Sequence, residues 1–276
     1  LQLPSLTRNQ IKHLRGLRSR KYRHAQQQFV AEGPTILAEI LAAAPPELRY
    51  VVCTPEFFSN QTRQVQTQLA DKVYGCDVDT LARISSLDTP ASALAVLDIP
   101  HKNTEHQPPV VRGSSAAHDL SSAEQTLNLY LDGIRDPGNL GTILRVADWF
   151  GHSAVYLSED CVDVYNAKTI QASMGAFLRV RICTESLNNL RILYPAAVLV
   201  GTRIDAGCDA LTTVWPRDTL LVIGSESHGI REAHHPLVQR WLSIPRGAGR
   251  SGAESLNAAV ATGILCASHL AASRNV

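Results

Sequence analysis

The chain has 276 residues, close to half of them apolar, and a formal net charge of +1 at pH 7. That length and composition describe two globular domains of ordinary size and exclude a disordered chain. Six cysteines lie scattered at 53, 76, 161, 183, 208 and 266 without CxxC spacing, so no metal site is expected and they read as small core residues of a reduced compartment. No apolar run approaches the ~20 residues of a membrane span and no signal core is present, so a cytoplasmic location is expected.

Charge is unevenly spread. Residues 1–31 hold seven cations, Arg8, Lys12, Arg15, Arg18, Arg20, Lys21 and Arg23, and no Asp or Glu. Such a segment can neutralise nucleic-acid phosphates, with Arg15, Arg18, Arg20 and Lys21 as candidate contacts; a solvated helix face is the alternative. In chain order, 7–20 and 34–43 read as helices, 49–54 as a strand, 56–70 as a helix, and 72–76 and 93–99 as strands. This alternation implies a small α/β domain over 1–99. Residues 100–126 carry Pro100, Pro108, Pro109 and two serine pairs, and read as a linker. From 127 to 276 strands at 127–131, 154–157, 178–182, 197–201, 219–223 and 241–244 alternate with helices, the last spanning 256–272. The pattern predicts a mostly parallel sheet covered on both faces.

Ligands of open parallel sheets bind beyond the carboxyl ends of the strands, and three loops there are unusual. The first, DGIRDPGNLGTILR from Asp132, places Asn139 at a helix start, where it would ordinarily be a cap, and Arg145 two turns inside. The second, LVIGSESHGI from Leu221, sets Gly224 and Gly229 around Glu226. The third, IPRGAGRSGAESLNAAVA from Ile244, puts Ser255 in the place of a cap for the last helix and Asn257 in its first turn. Its Gly247–Gly252 stretch matches a dinucleotide fingerprint, but no acidic residue follows Glu254 and one helix remains, so that reading fails. His228, His234 and His235 read as surface residues.

The order N-x-G-x-x-x-R, G-x-E-x-x-G and I-P…E-S-L-N resembles the three motifs of the SpoU/TrmH branch of knotted SPOUT RNA 2′-O-ribose methyltransferases. The first half, through KYRHAQQQFVAEGPTIL and ASALAVLDIP, is similar to the ribosomal-protein-like RNA-binding domain that often precedes them. The family loop after I-P is usually shorter, with Met where Arg246 stands. The resemblance implies a deep trefoil knot, S-adenosylmethionine as cofactor, a homodimer, and structured RNA as substrate, ribosomal RNA ahead of transfer RNA. It carries catalytic positions onto Asn139, Arg145, Glu226, Ser255 and Asn257, and cofactor contacts onto Thr202, Gly224, Ile244 and Leu256. A non-catalytic RNA-binding or ribosome-assembly factor that kept the fold is the rival reading.

Overall fold

The computed structural model describes residues 3–87, 89–100, 126–152, 154–205, 207–247 and 254–274. The interval read as a linker and the glycine-rich stretch 248–253 lie largely or wholly outside them. The chain forms two compact units, Leu1–Lys102 with Asp163–Leu178, and Asn103–Val162 with Arg179–Val276. In chain order the elements begin with α1 (Arg8–Gly16), α2 (Arg20–Gln26), β1 (Gln28–Glu32), α3 (Pro34–Ala43), β2 (Leu48–Cys53) and α4 (Pro55–Ser59). Next come α5 (Arg63–Gln68), β3 (Val73–Gly75), α6 (Val78–Ile84), β4 (Ala93–Asp98), β5 (Thr126–Asp132), α7 (Pro137–Trp149) and β6 (Ala154–Leu157). The remainder are α8 (Ala167–Ser173), β7 (Arg181–Thr184), α9 (Leu187–Leu193), β8 (Val198–Thr202), β9 (Cys208–Asp209), β10 (Asp218–Gly224), β11 (Arg240–Ser243) and α10 (Ala258–Ser273).

The first unit holds a four-stranded sheet in the order β1-β4-β2-β3. Its core joins Phe29, Ile36, Ile40, Val51 and Leu97 to Ile170 of α8, so the late segment helps close it. Several local expectations are corrected. The helix expected over 7–20 stops at Gly16 and restarts as α2, because the Arg23 guanidinium binds the Leu17 and Arg18 carbonyls (both 2.8 Å) between them. Arg23 is itself buried and bonded to Asp163 at 2.5 Å, so it is no part of a basic surface. The helix expected over 56–70 breaks at Asn60, and Thr62 caps a new one through Val65 N. Strand β1 and helix α6 escaped the periodicity.

The second unit is a seven-stranded sheet, β7-β6-β5-β10-β8-β11-β9, with every pairing parallel. Strands β5 and β10 lie side by side at its centre and are near-continuously apolar, as strands covered on both faces must be. Successive strands β5, β6 and β7 run to one side, while β8 begins on the other. This reversal puts the switch point of the sheet at β5 and β10, beyond whose carboxyl ends ligands of such sheets bind. Helix α7 buries Leu140, Ile143, Leu144 and Ala147 and gives way to Gly151 at φ +72°. Helix α10 packs against α7 through small residues, with Gly263 close to Val146.

Candidate active site

Asp132 and Gly224 are register partners at the ends of β5 and β10, so the first two motif loops leave the sheet together. The first loop enters α7 through Pro137, and Asp136 is the cap, its Oδ1 accepting from Asn139 N at 2.8 Å. The capping role expected of Asn139 therefore belongs to Asp136, which frees the Asn139 side chain. Its amide nitrogen donates to Glu226 Oε1 of the second loop. Its carbonyl oxygen accepts from Asn257 Nδ2 of the third loop at 2.8 Å. Asn257 in turn caps α10, with Oδ1 accepting from Ala259 N (3.0 Å) and Val260 N (3.2 Å). Ser255 is thus not the cap, and the last helix starts two residues later than expected because Asn257 alone points its side chain at the first free amides.

The second loop is closed by its own backbone. Ser225 and Gly229 exchange both amide hydrogen bonds (3.1 and 2.9 Å), with Gly229 at φ +67°. A Cβ on Gly224 would lie 2.1 Å from the Gly229 carbonyl carbon, so only glycine fits there. Beneath the loop is a network that the sequence reading missed. Buried Asp132 accepts from Arg231 N (3.0 Å), Arg231 Nε (2.6 Å) and His234 Nδ1 (2.9 Å). Arg231 reaches on to Asp160 at 2.7 Å. Burial alone would raise the Asp160 carboxyl; the Ser158 hydroxyl and the Arg231 cation outweigh it and hold it below its ordinary value. His234 is therefore a bonded, part-buried residue, contrary to the surface reading. His235 also has partners, the Ile230 carbonyl at 3.0 Å and the edge of Trp241. His228, against Ser227, and His235 are both exposed, so for those two the surface reading holds.

The remaining site positions divide. Arg145 and Ser255 are exposed and take no hydrogen bond or ion pair among the described residues, so the structure joins neither to the Asn139 trio. Thr202, Gly224 and Ile244 sit at or just beyond the ends of β8, β10 and β11, which follow one another in the order β10-β8-β11. Two apolar side chains of the following loops face solvent, Ile204 at 51% and Leu256 at 46% exposure. Arg246 binds the Glu254 carbonyl (2.7 Å), tying together the two ends of the third loop. Of the four candidate RNA contacts, Arg15, Arg20 and Lys21 are exposed and without a partner among the described residues. Arg18 is exposed too but donates to the Arg83 carbonyl (2.8 Å) and to that of Ser85.

Comparison with known proteins meets this geometry. Residues 126–267 match the SpoU rRNA Methylase family, and residues 8–95 match an MRM3-like substrate binding domain. The chain is 24% identical over 96% of its length, and 97% of the relative's, to the 23S rRNA (guanosine(2553)-2′-O)-methyltransferase RlmP of Bacillus subtilis. A structure from Porphyromonas gingivalis assigned to the TrmH family of RNA methyltransferases is 34% identical, covers 96% of this chain and 98% of its own, and superposes with a TM-score of 0.76. An AdoMet-bound rRNA methyltransferase of Sinorhizobium meliloti, 25% identical, covers 99% and 97% at a TM-score of 0.76. The matched family spans all three loops that Asn139, Glu226 and Asn257 hold together, and the chain belongs to the SpoU rRNA methylase family.

Proposed function

We propose that the chain transfers a methyl group from S-adenosylmethionine to a ribose 2′-hydroxyl of ribosomal RNA. The observation that carries this reading is the side chain of Asn139, which bonds Glu226 on one side and Asn257 on the other and so gathers all three motifs at one point. A fold kept only for binding RNA has no need of that convergence.

The residues at the ends of β8, β10 and β11 fit the cofactor. Ile204 and Leu256 offer exposed apolar side chains, Thr202 and Ile244 stand at the strand ends, and Gly224 lets the second loop fold back tightly beside them, the Gly229–Ile230 backbone filling the place of a side chain. When bound, S-adenosylmethionine supplies a methyl group on a cationic sulfur. What is left to the protein is to orient the hydroxyl and manage its proton.

We assign that work to Arg145, Glu226, Asn139, Asn257 and Ser255. Arg145 keeps all its donors free among the described residues, and a guanidinium with a pKa above ~12 would need roughly 7 kcal/mol to act as a base at neutral pH. It holds substrate phosphate and stabilises developing alkoxide instead. Glu226, fixed by Asn139, is assigned to orient Arg145 once RNA is bound, while Asn257 and Ser255 shape the third loop.

The proposal includes the trefoil knot, a cytoplasmic location and residues 1–99 as the RNA-binding part, joined by 100–126 to a methyltransferase part over 127–276. It includes a homodimer as well, supported by Trp149 at 85% and Val260 at 52% exposure on the packed helices α7 and α10. No helix among the described residues is long and apolar enough to cross a membrane. The test is methyl incorporation into unmodified 23S rRNA and bulk tRNA from labelled cofactor, followed by mass mapping of nuclease fragments. A 2′-O-methylated rRNA nucleotide is expected. RNA binding without incorporation would refute the reading.

A further inference from the structure

The first unit carries a cleft of about 640 Å³ that the methyl-transfer site does not use. Its walls come from the ends of α1 and α6 and from the turn leading into α8, and its polar lining includes Arg18, Ser85, Ser86, Tyr165, Asn166 and Lys168. No carboxylate lines it among the described residues. Among the described residues two acids lie against the lining, both buried: Glu32, satisfied by the Ser85 hydroxyl and by Ser86 N at 2.7 Å, and Asp163, which accepts from Arg23 and from Tyr165 N at 3.2 Å. Arg23 is likewise spent on Asp163 and two carbonyls.

What the cleft offers a ligand is therefore donors. Among the described residues the Lys168 ammonium has no partner, and Asn166 uses only its oxygen, on Lys168 N at 2.9 Å. Arg18 commits one guanidinium nitrogen to carbonyls and, among the described residues, keeps the others. Tyr165 adds an aromatic ring steadied against Phe29, centroids 4.8 Å apart. Free cations, hydroxyl and amide donors and one fixed ring select a phosphate joined to a base, and ligand pockets of about 300–1,000 Å³ accept groups of that size. The cleft also begins where the carboxylate-free segment 1–31 ends its first helix, so the approach to it is basic.

We propose that this cleft binds one phosphate-linked nucleotide of the RNA substrate, other than the nucleotide that is methylated. The inference rests on the function proposed above and names a second point of substrate contact, to which Lys168 and Asn166 contribute although they lie between the first and second motifs in sequence.

The test compares wild type with Lys168→Gln, Lys168→Arg and Ser86→Trp, the last filling the cleft without changing charge. Filter binding of unmodified 23S rRNA across a salt series is measured beside methylation kinetics and cofactor affinity. For Lys168→Gln the RNA KM should rise roughly fivefold and the slope of log affinity against log salt should flatten by ~0.7–0.9, the loss of one phosphate contact. The arginine variant should restore both, Ser86→Trp should raise KM, and kcat and cofactor affinity should hold in all three. Unchanged KM and slope in Lys168→Gln would overturn the proposal, as would a Ser86→Trp variant that binds cofactor and RNA normally. So would tight, Lys168-dependent binding of adenosine 5′-monophosphate with rRNA affinity indifferent to Lys168, which would make the ligand a free nucleotide. Filter binding needs no catalysis, so an inactive wild type that still shows the slope difference refutes the function reading alone.

Discussion

Lowering the pH should destabilise this protein through His152, and the size of the effect follows from where that ring sits. His152 follows the end of α7 and is part-buried against Cys266 of α10, Nε2 to Sγ 3.3 Å. Burial, with a smaller push from His269, lowers its pKa from 6.5 to about 4. Cys266 cannot serve as a counter-ion, because burial pushes its thiol up to about 12. His269 is also lowered by burial, and its Nε2 is buried without a hydrogen-bond partner among the described residues. Both rings are thus neutral when folded. Above pH 6.5 the unfolded chain is neutral at His152 too, and stability is full. Between pH 6.5 and 4 only the unfolded chain takes up the proton, so stability falls. A shift from 6.5 to about 4, at about 1.4 kcal/mol per unit, removes about 3 kcal/mol by pH 4. Urea unfolding of wild type and His152→Leu at pH 7.5, 6, 5 and 4.5 isolates the term as the pH dependence of the difference between them. A difference that stays constant with pH, or an imidazole resonance of His152 titrating near 6.5, would refute the reasoning.

The catalytic loops give further expectations. Asn139→Ala removes one hydrogen bond to a carboxylate and one to an amide, and should lower kcat/KM by roughly 100-fold, about 3 kcal/mol; methylation kinetics check it, and a loss under threefold would sink the proposed role. Arg145→Ala and Arg145→Lys should both abolish transfer with cofactor affinity nearly unchanged in calorimetry, since a point charge cannot replace a forked donor. Gly224→Ala forces a Cβ into the Gly229–Ile230 backbone; it should cost roughly 1–3 kcal/mol in thermal unfolding and depress activity by moving Glu226. Replacing Arg15, Arg20 and Lys21 by Gln should flatten the salt dependence of RNA binding by ~0.7–0.9 per lost phosphate contact, leaving cofactor binding alone.

The three loops were legible because each is a run of glycine, proline and polar residues interrupting an apolar strand–helix rhythm, a signal confined to a few neighbouring residues. The division of labour inside them was not. Asp136 and Asn139, or Ser255 and Asn257, are equally good caps by type, and only the backbone geometry decides which side chain meets the free amides. Longer-range partners were invisible for a plainer reason. Asp132 meets Arg231 and His234 about a hundred positions later, and Arg23 meets Asp163 farther still. Nothing near Arg23 distinguishes it from the exposed cations around it, and His234 sits among histidines that look alike in sequence. Strand β1 was lost because QFVAE runs directly out of one helix and into Gly33–Pro34 before the next, leaving no flanking turn on its first side.

The chain's membership of its two units also sets an order of events during synthesis. Residues 163–178 supply Ile170 to the core of the first unit, with Tyr165, Phe177 and Leu178 packed against it. A ribosome delivers that wall only after more than sixty further residues have followed Lys102. The usual rule that an N-terminal domain folds first, as soon as its own stretch emerges, cannot run to completion here. Until residue 178 is out of the exit tunnel the nascent first unit holds an open apolar flank, and a stop codon anywhere before it strands that flank permanently. Any split of the gene into two separately expressed halves near residue 126 inherits the same defect twice, once as an uncovered core and once as a sticky helix on the other fragment.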